Sequence, residues 1–241
     1  MTILIFIIAH WYLSLFFQSF FHHRYSAHQM FTMSKGMEKV FFIGSFITQG
    51  SSYLSPNTYG IMHRMHHAFA DTEKDPHSPK FDKNLWKLMW HSAEEFRDIF
   101  YEKIKIEDRF KINLPEWKGF DRITNKWIIR GLWMAAYTTF YVFFANHWWM
   151  YFLLPIHFLS GPVHGAVINW FAHKYGYTNF KLKNTSKNLL PVDFLMLGEA
   201  YHNNHHKNGT SPNFGFRWFE IDPIYPVIKL FNALKIIKLK I

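Results

Sequence analysis

The sequence predicts an all-α integral membrane protein with about three transmembrane helices, a membrane-dipping helix and a cytoplasmic helical cap that carries a histidine-rich two-metal site. Three observations lead to this fold class. Long stretches carry no formal charge, the 27 Lys and Arg residues lie outside those stretches, and histidines cluster near one end of them. Aromatic residues make up 20% of the 241 residues, which is common in proteins that contact lipid.

Two uncharged stretches are long enough to cross a bilayer. Residues 2–21 match a helix of about 20 residues, and they lack the basic start and cleavage site of a signal peptide. We therefore expect a retained transmembrane helix there. Residues 131–173 contain no Asp, Glu, Lys or Arg, and a tryptophan-rich turn divides them into two crossings, 131–150 and 151–172.

Residues 40–62 are also uncharged, but Gly44, Gly50 and Pro56 interrupt them. We expect this stretch to be a non-spanning helix that enters the membrane and returns, or that lies along its surface. The positive-inside rule then places all basic segments together in the cytoplasm. The cap comprises 63–130 and 174–241, within a single membrane domain over 1–241.

Composition excludes several classes of site and partner. The absence of cysteine rules out disulfides, thiol nucleophiles and iron–sulfur clusters within this sequence. The formal net charge is +10, and next to long apolar runs this favours an anionic membrane face or a phosphate-bearing substrate. We therefore expect membrane lipids, and no nucleic acid, as partners.

Four clusters begin at or soon after the expected cytoplasmic ends of apolar segments. They contain His23 and His28; His63, His66 and His67; Asn169 and His173; and His202, His205 and His206. Residues three and four apart share one helix face, so the last three clusters can each converge on a small volume. The first pair is about 140° apart around an ideal helix, which suits two neighbouring metal ions or a helix that breaks between the two residues.

These nine histidines suffice for two metal ions with four or five imidazoles each and an open position. Neutral imidazole suits iron, zinc, copper and nickel, so the ligands alone do not name the metal. An isolated histidine is ordinarily a polar residue bonded to water or backbone. We give that interpretation to His10, His22, His77, His91, His147, His157 and His164, with His22 and His164 as candidates for contact with the ligands.

Carboxylates are expected to support the histidines. Soluble di-iron enzymes repeat a Glu-x-x-His motif, whereas Glu199–His202 is its single copy here. We expect Glu199 to accept a hydrogen bond from the second nitrogen of a ligand ring, and Asp71 and Asp75 are candidates for the same role or for plain surface charges. Lys74 and Lys80 are weak candidates for contact with substrate phosphates, the alternative being a solvated charged face.

At this point the residues resemble the membrane fatty-acid desaturases, specifically the acyl-CoA (stearoyl-type) branch and its bacterial relatives. The resemblance covers about residues 10–225 and rests on four motifs. They are H-x4-H from His23, HRMHH from His63 with the following D-x3-DPH, N-x3-H from Asn169, and GEAYHNNHH from Gly198. Family members often have two helices before the first motif, whereas about one helix precedes it here.

The resemblance implies a di-iron site in which the nine histidines are ligands and Asn169 reaches one iron through water. It implies that O2 and two electrons remove two hydrogens from a long-chain acyl group, leaving a cis double bond, with delta-9 as the candidate position. The carrier stays open between acyl-CoA, acyl-carrier protein and lipid, since Ile61-Met62 stands where the acyl-CoA branch has Arg-Asp.

The resemblance also implies a partner and a location. The chain has no cysteine and no His-Pro-Gly-Gly haem motif, so a separate ferredoxin or cytochrome is expected as electron donor. The location is the bacterial inner (cytoplasmic) membrane, with the metal site on the cytoplasmic side.

Two alternatives stay open. A histidine-box membrane hydroxylase acting on a lipid or hydrocarbon shares the metal chemistry but leaves oxygen in its product. The second alternative is a non-enzymatic metal-binding membrane protein, either a transporter or a regulator. A transporter would place its ligands along a path near the bilayer midplane. Here the clusters gather at one membrane end, and the DPH and HNNHH sequences favour the desaturase.

Overall fold

The computed structural model describes residues 1–240, which are mostly helical. The α-helices are α1 (Thr2–Phe17), α2 (Lys35–Gln49), α3 (Pro56–Phe69), α4 (Leu85–Phe100), α5 (Lys118–Thr124), α6 (Trp127–Phe144), α7 (Leu154–Phe158), α8 (Ser160–Ala166), α9 (Ala172–Lys174), α10 (His202–Lys207) and α11 (Ile224–Ala233). Two segments are π-helical, Gln18–Ala27 and Val167–Phe171, and three are 3₁₀-helical, Gly50–Ser52, Asp108–Phe110 and Trp148–Leu153. Strand β1 (Phe31–Met33) pairs antiparallel with β2 (Ile237–Leu239).

Two parts of the described chain have the length and hydropathy of a membrane crossing. Helix α1 continues into the first π segment, giving a helical stretch of 26 residues, Thr2–Ala27, whose most apolar part is long enough for a crossing. The pair Trp148–Phe158 and Ser160–Lys174 meets the same criterion jointly, although its halves are bent by 71°. The predicted segments 131–150 and 151–172 correspond broadly to α6 and to this bent pair. The count of three crossings stays a prediction.

Residues 40–62 do not form the single helix that the sequence suggested. Helix α2 ends at Gly50, whose φ of +53° is readily adopted only by glycine, and the chain then turns through Gly50–Ser52. A new helix, α3, begins at Pro56, with the Ser55 side chain accepting a hydrogen bond from the Thr58 backbone N–H. The prediction of one non-spanning helix is therefore corrected to two helices joined by a turn, which we call the serine turn (Gly50–Ser52).

A largely aromatic core packs the first π segment against β1, α2 and the C-terminal helix α11. Phe20 and Phe21 are fully buried there, with Phe31 of β1, Phe42 of α2 and Ile228 of α11. Burying each large side chain contributes about 1.5–3 kcal/mol. The core therefore fixes the π segment, which carries the first histidine pair, against the C-terminal part of the chain.

Candidate metal centre

The first π segment brings His23 and His28 together. The backbone N–H of His28 donates to the His23 carbonyl, 3.1 Å away and five residues earlier. In a π-helix residues five apart lie above one another, and here the two ring centroids are 5.1 Å apart. The expected separation of about 140° assumed an ideal α-helix, whereas the π-helical winding places both residues in one group of possible metal ligands.

The HNNHH sequence places histidines and anchors on one short helix, α10. The Asn188 side chain accepts hydrogen bonds from the backbone N–H groups of Asn203 and Asn204, at 3.0 and 3.2 Å. The Asn204 amide donates to the Phe214 carbonyl and to Glu220, both at 2.9 Å. Asn203 and Asn204 thus hold α10 to the surrounding loops. The neighbouring imidazoles of α10 remain available for the cluster.

The structure brings all nine predicted histidines into two adjoining groups. The first group is His23, His28, His63, His67 and His205, and the second is His66, His173, His202 and His206. In the first group the Nε2 atom of His205 lies 3.0 Å from that of His23 and 2.9 Å from that of His67. The Nε2 atoms of His28 and His63 are 2.9 Å apart.

In the second group the Nε2 atoms form a chain of close contacts. The His202 Nε2 lies 3.0 Å from that of His173 and 3.0 Å from that of His206, which is itself 3.2 Å from that of His66. The groups touch where the rings of His67 and His206 stack, with centroids 4.4 Å apart.

Hydrogen bonding alone does not account for these contacts. A ring nitrogen of neutral imidazole carries either one proton or one lone pair, so it serves one in-plane hydrogen bond. The Nε2 atoms of His202, His205 and His206 each meet two others. Nitrogens bound to one ion at about 2.1 Å and at right angles would be about 3.0 Å apart. The donor sets therefore fit one metal ion per group.

The electrostatic environment favours the neutral form of the histidine rings on α3 and α10. Burial lowers the pKa of His63, His202, His205 and His206 well below 6.5, and neighbouring imidazoles lower it further. The pKa of His66 falls to about 3, again mainly through burial. Neutral imidazole has the free lone pair that a metal ligand requires.

Carboxylates contact the outer nitrogens of one ring in each group. Glu199 lies 2.5 Å from the Nδ1 atom of His23 and also accepts hydrogen bonds from Ser19 and Arg24. Burial alone would raise the pKa of Glu199, but the His23 ring, Arg24 and Ser19 outweigh it and lower that pKa to about 2. Glu199 follows Gly198, whose φ is +90° and whose Cβ, if present, would meet Asp222.

Asp75 and Asp71 lie beside the second group. Asp75 accepts a hydrogen bond from the Nδ1 atom of His66 at 2.9 Å. Asp71 accepts from the Thr185 backbone N–H and lies 3.8 Å from the Nδ1 atom of His173. Both carboxylates are buried, so they are not the plain surface charges of the alternative. Asp75 therefore suits an acceptor that orients the His66 ring. The Nδ1 atom of His173 instead contacts the Thr185 hydroxyl at 3.1 Å, so Asp71 acts on that ring only at longer range.

The remaining candidates lie at the margin of the site. Asn169 belongs to the second π segment, four residues before His173, and its side chain makes no hydrogen bond within the described residues 1–240. The Lys80 ammonium lies 3.4 Å from the Asp71 carbonyl, and that of Lys74 lies 5.7 Å from the Phe69 ring centroid. No contact found here assigns either lysine to a substrate.

Sequence reasoning missed the placement of His77. Its ring is buried, lies 4.4 Å from the His66 ring between centroids, and forms a third close set with His66 and Asp75. The signal was the DPH sequence, in which the histidine directly follows the Asp-Pro of a motif already singled out. His10 and His157 are also buried, and their Nδ1 atoms are 2.8 Å apart, far along α1 from the first pair.

Comparisons with known proteins identify the family of this chain. Residues 1–233 match the family described as fatty acid desaturase. The chain is 29% identical over 228 residues to the Delta-9 desaturase-like 5 protein of Arabidopsis thaliana, covering 90% of this chain and 69% of the relative. It is 28% identical over 221 residues to the sn-1 stearoyl-lipid 9-desaturase of Synechocystis sp., covering 90% and 64%.

A third relative has a different stated substrate. The chain is 31% identical over 215 residues to the icosanoyl-CoA 5-desaturase of Limnanthes douglasii, covering 88% of this chain and 57% of the relative. The expected family and activity are thereby confirmed, because the family match extends over nearly the whole sequence. The chain therefore belongs to the fatty acid desaturase family and is an oxidoreductase of acyl chains.

Proposed function

We propose that this chain is an O2-dependent di-iron desaturase that introduces a cis double bond at the delta-9 position of a long-chain acyl group in a membrane lipid. The observation that carries the proposal is the convergence of nine imidazoles in two groups, in which neighbouring Nε2 atoms lie 2.9–3.2 Å apart. The name of the Synechocystis relative supports the lipid carrier, and the names of the Arabidopsis and Synechocystis relatives support the bond position. Acyl-CoA, as in the Limnanthes relative, and acyl-carrier protein are the competing carriers.

Two iron ions would supply the redox chemistry with O2 that all-nitrogen coordination with open positions allows. The five imidazoles of the first group would hold one ion and the four of the second group the other, with Asn169 acting through water. Glu199 and Asp75 hold the protons on the outer nitrogens of His23 and His66, so that the Nε2 lone pairs of those rings face inwards. Overall, the acyl chain loses two hydrogens, and O2 with two electrons and two protons becomes two waters.

The electrons are proposed to come from a separate ferredoxin or cytochrome. The chain is proposed to be a single domain that crosses the membrane three times, at Thr2–Ala27 and within residues 131–150 and 151–172. The first span and the bent pair support this topology, and it puts the basic segments and the metal centre on the cytoplasmic side of a bacterial inner membrane. Since the chain has no native cysteine, single introduced cysteines report sidedness cleanly. A membrane-impermeant thiol reagent should label the His147→Cys variant from outside intact cells. It should label the Lys83→Cys variant only after the membrane is permeabilised.

The activity test is expression in a bacterium together with ferredoxin and its reductase, followed by mass-spectrometric location of double bonds in each lipid class. We expect delta-9 unsaturation that appears first in intact lipids, that His66→Ala abolishes and that His91→Ala preserves. His91 is the matched control because its side chain is half exposed and lies outside both groups. A hydroxylated product without a new double bond would identify a hydroxylase, and products appearing first on CoA or carrier protein would overturn the lipid assignment.

A further inference from the structure

The bent pair contains a helix break whose backbone groups need partners. Helix α7 ends at Phe158 and α8 begins at Ser160, and the two halves of the apolar pair diverge by 71°. A break leaves carbonyls at the end of one helix and N–H groups at the start of the next without helical partners. In an apolar environment each unpaired group costs several kcal/mol.

The serine turn supplies partners on both sides of this break. The Ser51 hydroxyl donates to the Phe158 carbonyl at 3.1 Å, and the Gly161 backbone N–H donates to the Ser52 hydroxyl at 3.1 Å. The Ser52 hydroxyl also lies 2.7 Å from that of Ser160. Both serines of the turn are buried, so water does not readily replace these bonds.

The contact is also sterically close. A Cβ built on Gly161 would lie 3.2 Å from the backbone oxygen of Ser52, a tight contact that would push the two segments slightly apart. Two histidine-bearing segments meet here. The serine turn precedes α3, which carries three of the histidines, and the break precedes the stretch of chain that ends at His173.

Helix α3 has further anchors of its own. Ser55, at its start, donates to Asp121 at 2.7 Å, and so does Tyr53. Arg64, within the helix, donates to the carbonyls of Ala27 and Ser26, at 2.7 and 2.9 Å. A substitution in the serine turn should therefore loosen the broken span, the bent pair Trp148–Phe158 and Ser160–Lys174, more than it loosens α3.

We propose that Ser51 and Ser52 are positioning residues that fix the broken span and thereby set how tightly the second histidine group binds its metal. His173 is the ligand that depends on them, because the other three members of that group lie on α3 and α10. This inference rests on the proposed two-metal function.

The test is titration of purified, metal-free, full-length protein with Co²⁺ alone, following its visible absorption. Two binding steps are expected, and His28→Ala and His173→Ala assign them to the first and second groups. Ser51→Ala and Ser52→Ala should each weaken the second step at least tenfold and leave the first within threefold. Ser45→Ala is the matched control, since Ser45 is buried on α2 and its hydroxyl has no partner in the described residues.

Gly161→Ala disturbs the contact between the serine turn and the helix break without removing a hydroxyl. It should also weaken the second Co²⁺ binding step. The inference is overturned if both steps weaken equally, if neither weakens, or if Ser45→Ala has the same effect as the serine-turn variants. Fewer than two Co²⁺ ions bound by the parent protein would instead contradict the two-metal function itself. The two failures are thus distinguishable.

Discussion

His205 presents a single ring nitrogen to two other histidines. Its removal should therefore weaken metal binding by the first group strongly. The Nε2 atom lies 3.0 Å from that of His23 and 2.9 Å from that of His67. Loss of a residue that merely supports a metal ligand costs about 10–100-fold in affinity or activity. We therefore expect His205→Ala to lower desaturation more than about 100-fold and to reduce bound iron, as measured by product yield and elemental analysis.

His91→Ala is the control for this substitution and should keep both iron and activity. Because the metal also helps such a site to fold, the amount of membrane-inserted protein is measured for each variant. Unchanged iron in a well-inserted His205→Ala protein would contradict the ligand assignment.

The two outer carboxylates should act on different groups. Asp75 contacts His66 of the second group and Glu199 contacts His23 of the first. Asp75→Asn should weaken the second Co²⁺ binding step about 10–100-fold, and Glu199→Gln should weaken the first by a similar factor. Asp82→Asn is the matched control, because Asp82 pairs with His91 outside both groups. Equal weakening of both steps in either variant would argue against separate groups.

At the residue scale, spacing alone predicted the set of histidines that converge. The i, i+3 and i+4 rule found His63, His66 and His67 on one face because their helix is a regular α-helix. It failed for His23 and His28 because π-helical winding leaves no sequence signature that the rule reads. Contacts between distant residues, such as Glu199 with His23, depend on tertiary packing and were only expected in outline.

The start of α3 rests on a buried carboxylate whose titration should be measurable. Asp121 accepts hydrogen bonds from the hydroxyls of Tyr53 and Ser55, and burial raises its pKa to about 6 from the usual 3.8. A folded state that holds its proton more tightly than the unfolded chain gains stability at low pH. This contribution is fully present below about pH 4 and is lost as the pH rises through about 6.

Asp121→Asn should therefore remove a loss of stability between about pH 4 and 6.5. Histidines whose pKa is lowered by burial make the unfolding free energy of the metal-free protein rise over the same range, so this rise should be steeper in Asp121→Asn than in the parent. The measurement is denaturant unfolding of metal-free protein in detergent at several pH values. Asp108→Asn is the control, because the Asp108 side chain is fully exposed. If the parent and Asp121→Asn showed the same dependence on pH, the assigned role of burial would be wrong.

At the element scale, the uncharged stretches of the sequence predicted the positions of helices better than the positions of helix breaks. Residues 2–21 lie within Thr2–Ala27, and 131–150 overlaps α6. The break in 40–62 was signalled locally, since Ser55 and Pro56 form a typical helix start. The 71° bend at Leu159 also has a local signal, Gly161-Pro162, because Pro162 has no N–H to donate to the Phe158 carbonyl. The sequence does not show that serines over one hundred residues away supply the partners.

Arg24, in the first π segment, forms buried ion pairs with two residues of the C-terminal part of the chain. Its guanidinium donates to Glu199 at 2.9 Å and to Asp222 at 2.7 Å, and it lies over the Phe214 ring. Removing one partner of a buried ion pair leaves an uncompensated charge, which costs about 3–5 kcal/mol. We expect Arg24→Met to lower the free energy of unfolding of the metal-free protein by about that amount.

Arg109→Met is the comparison for this measurement. Arg109 pairs with Glu107 at 2.8 Å, but both side chains are more than half exposed. Exposed pairs contribute about 1 kcal/mol or less, so this variant should be nearly neutral. Similar losses in the two variants would indicate that burial does not strengthen the Arg24 link.

For the whole molecule, the sequence predicted the helical class and the family, both of which are confirmed. These follow from composition and from motifs that are local in the chain. The mutual arrangement does not, because β1 pairs with β2 across about two hundred residues and the Arg24 link spans a similar distance. Such long-range pairing is decided by packing that no local pattern records.

The division of ligands along the polypeptide constrains how the protein matures. One set includes His205 and the other includes His202 and His206, although further members come from near the start of the chain. Neither set is complete until residue 205 or residue 206 has been synthesised. If each set holds one metal ion as proposed, metal loading follows synthesis of most of the chain, and chains interrupted before that point lack both sites.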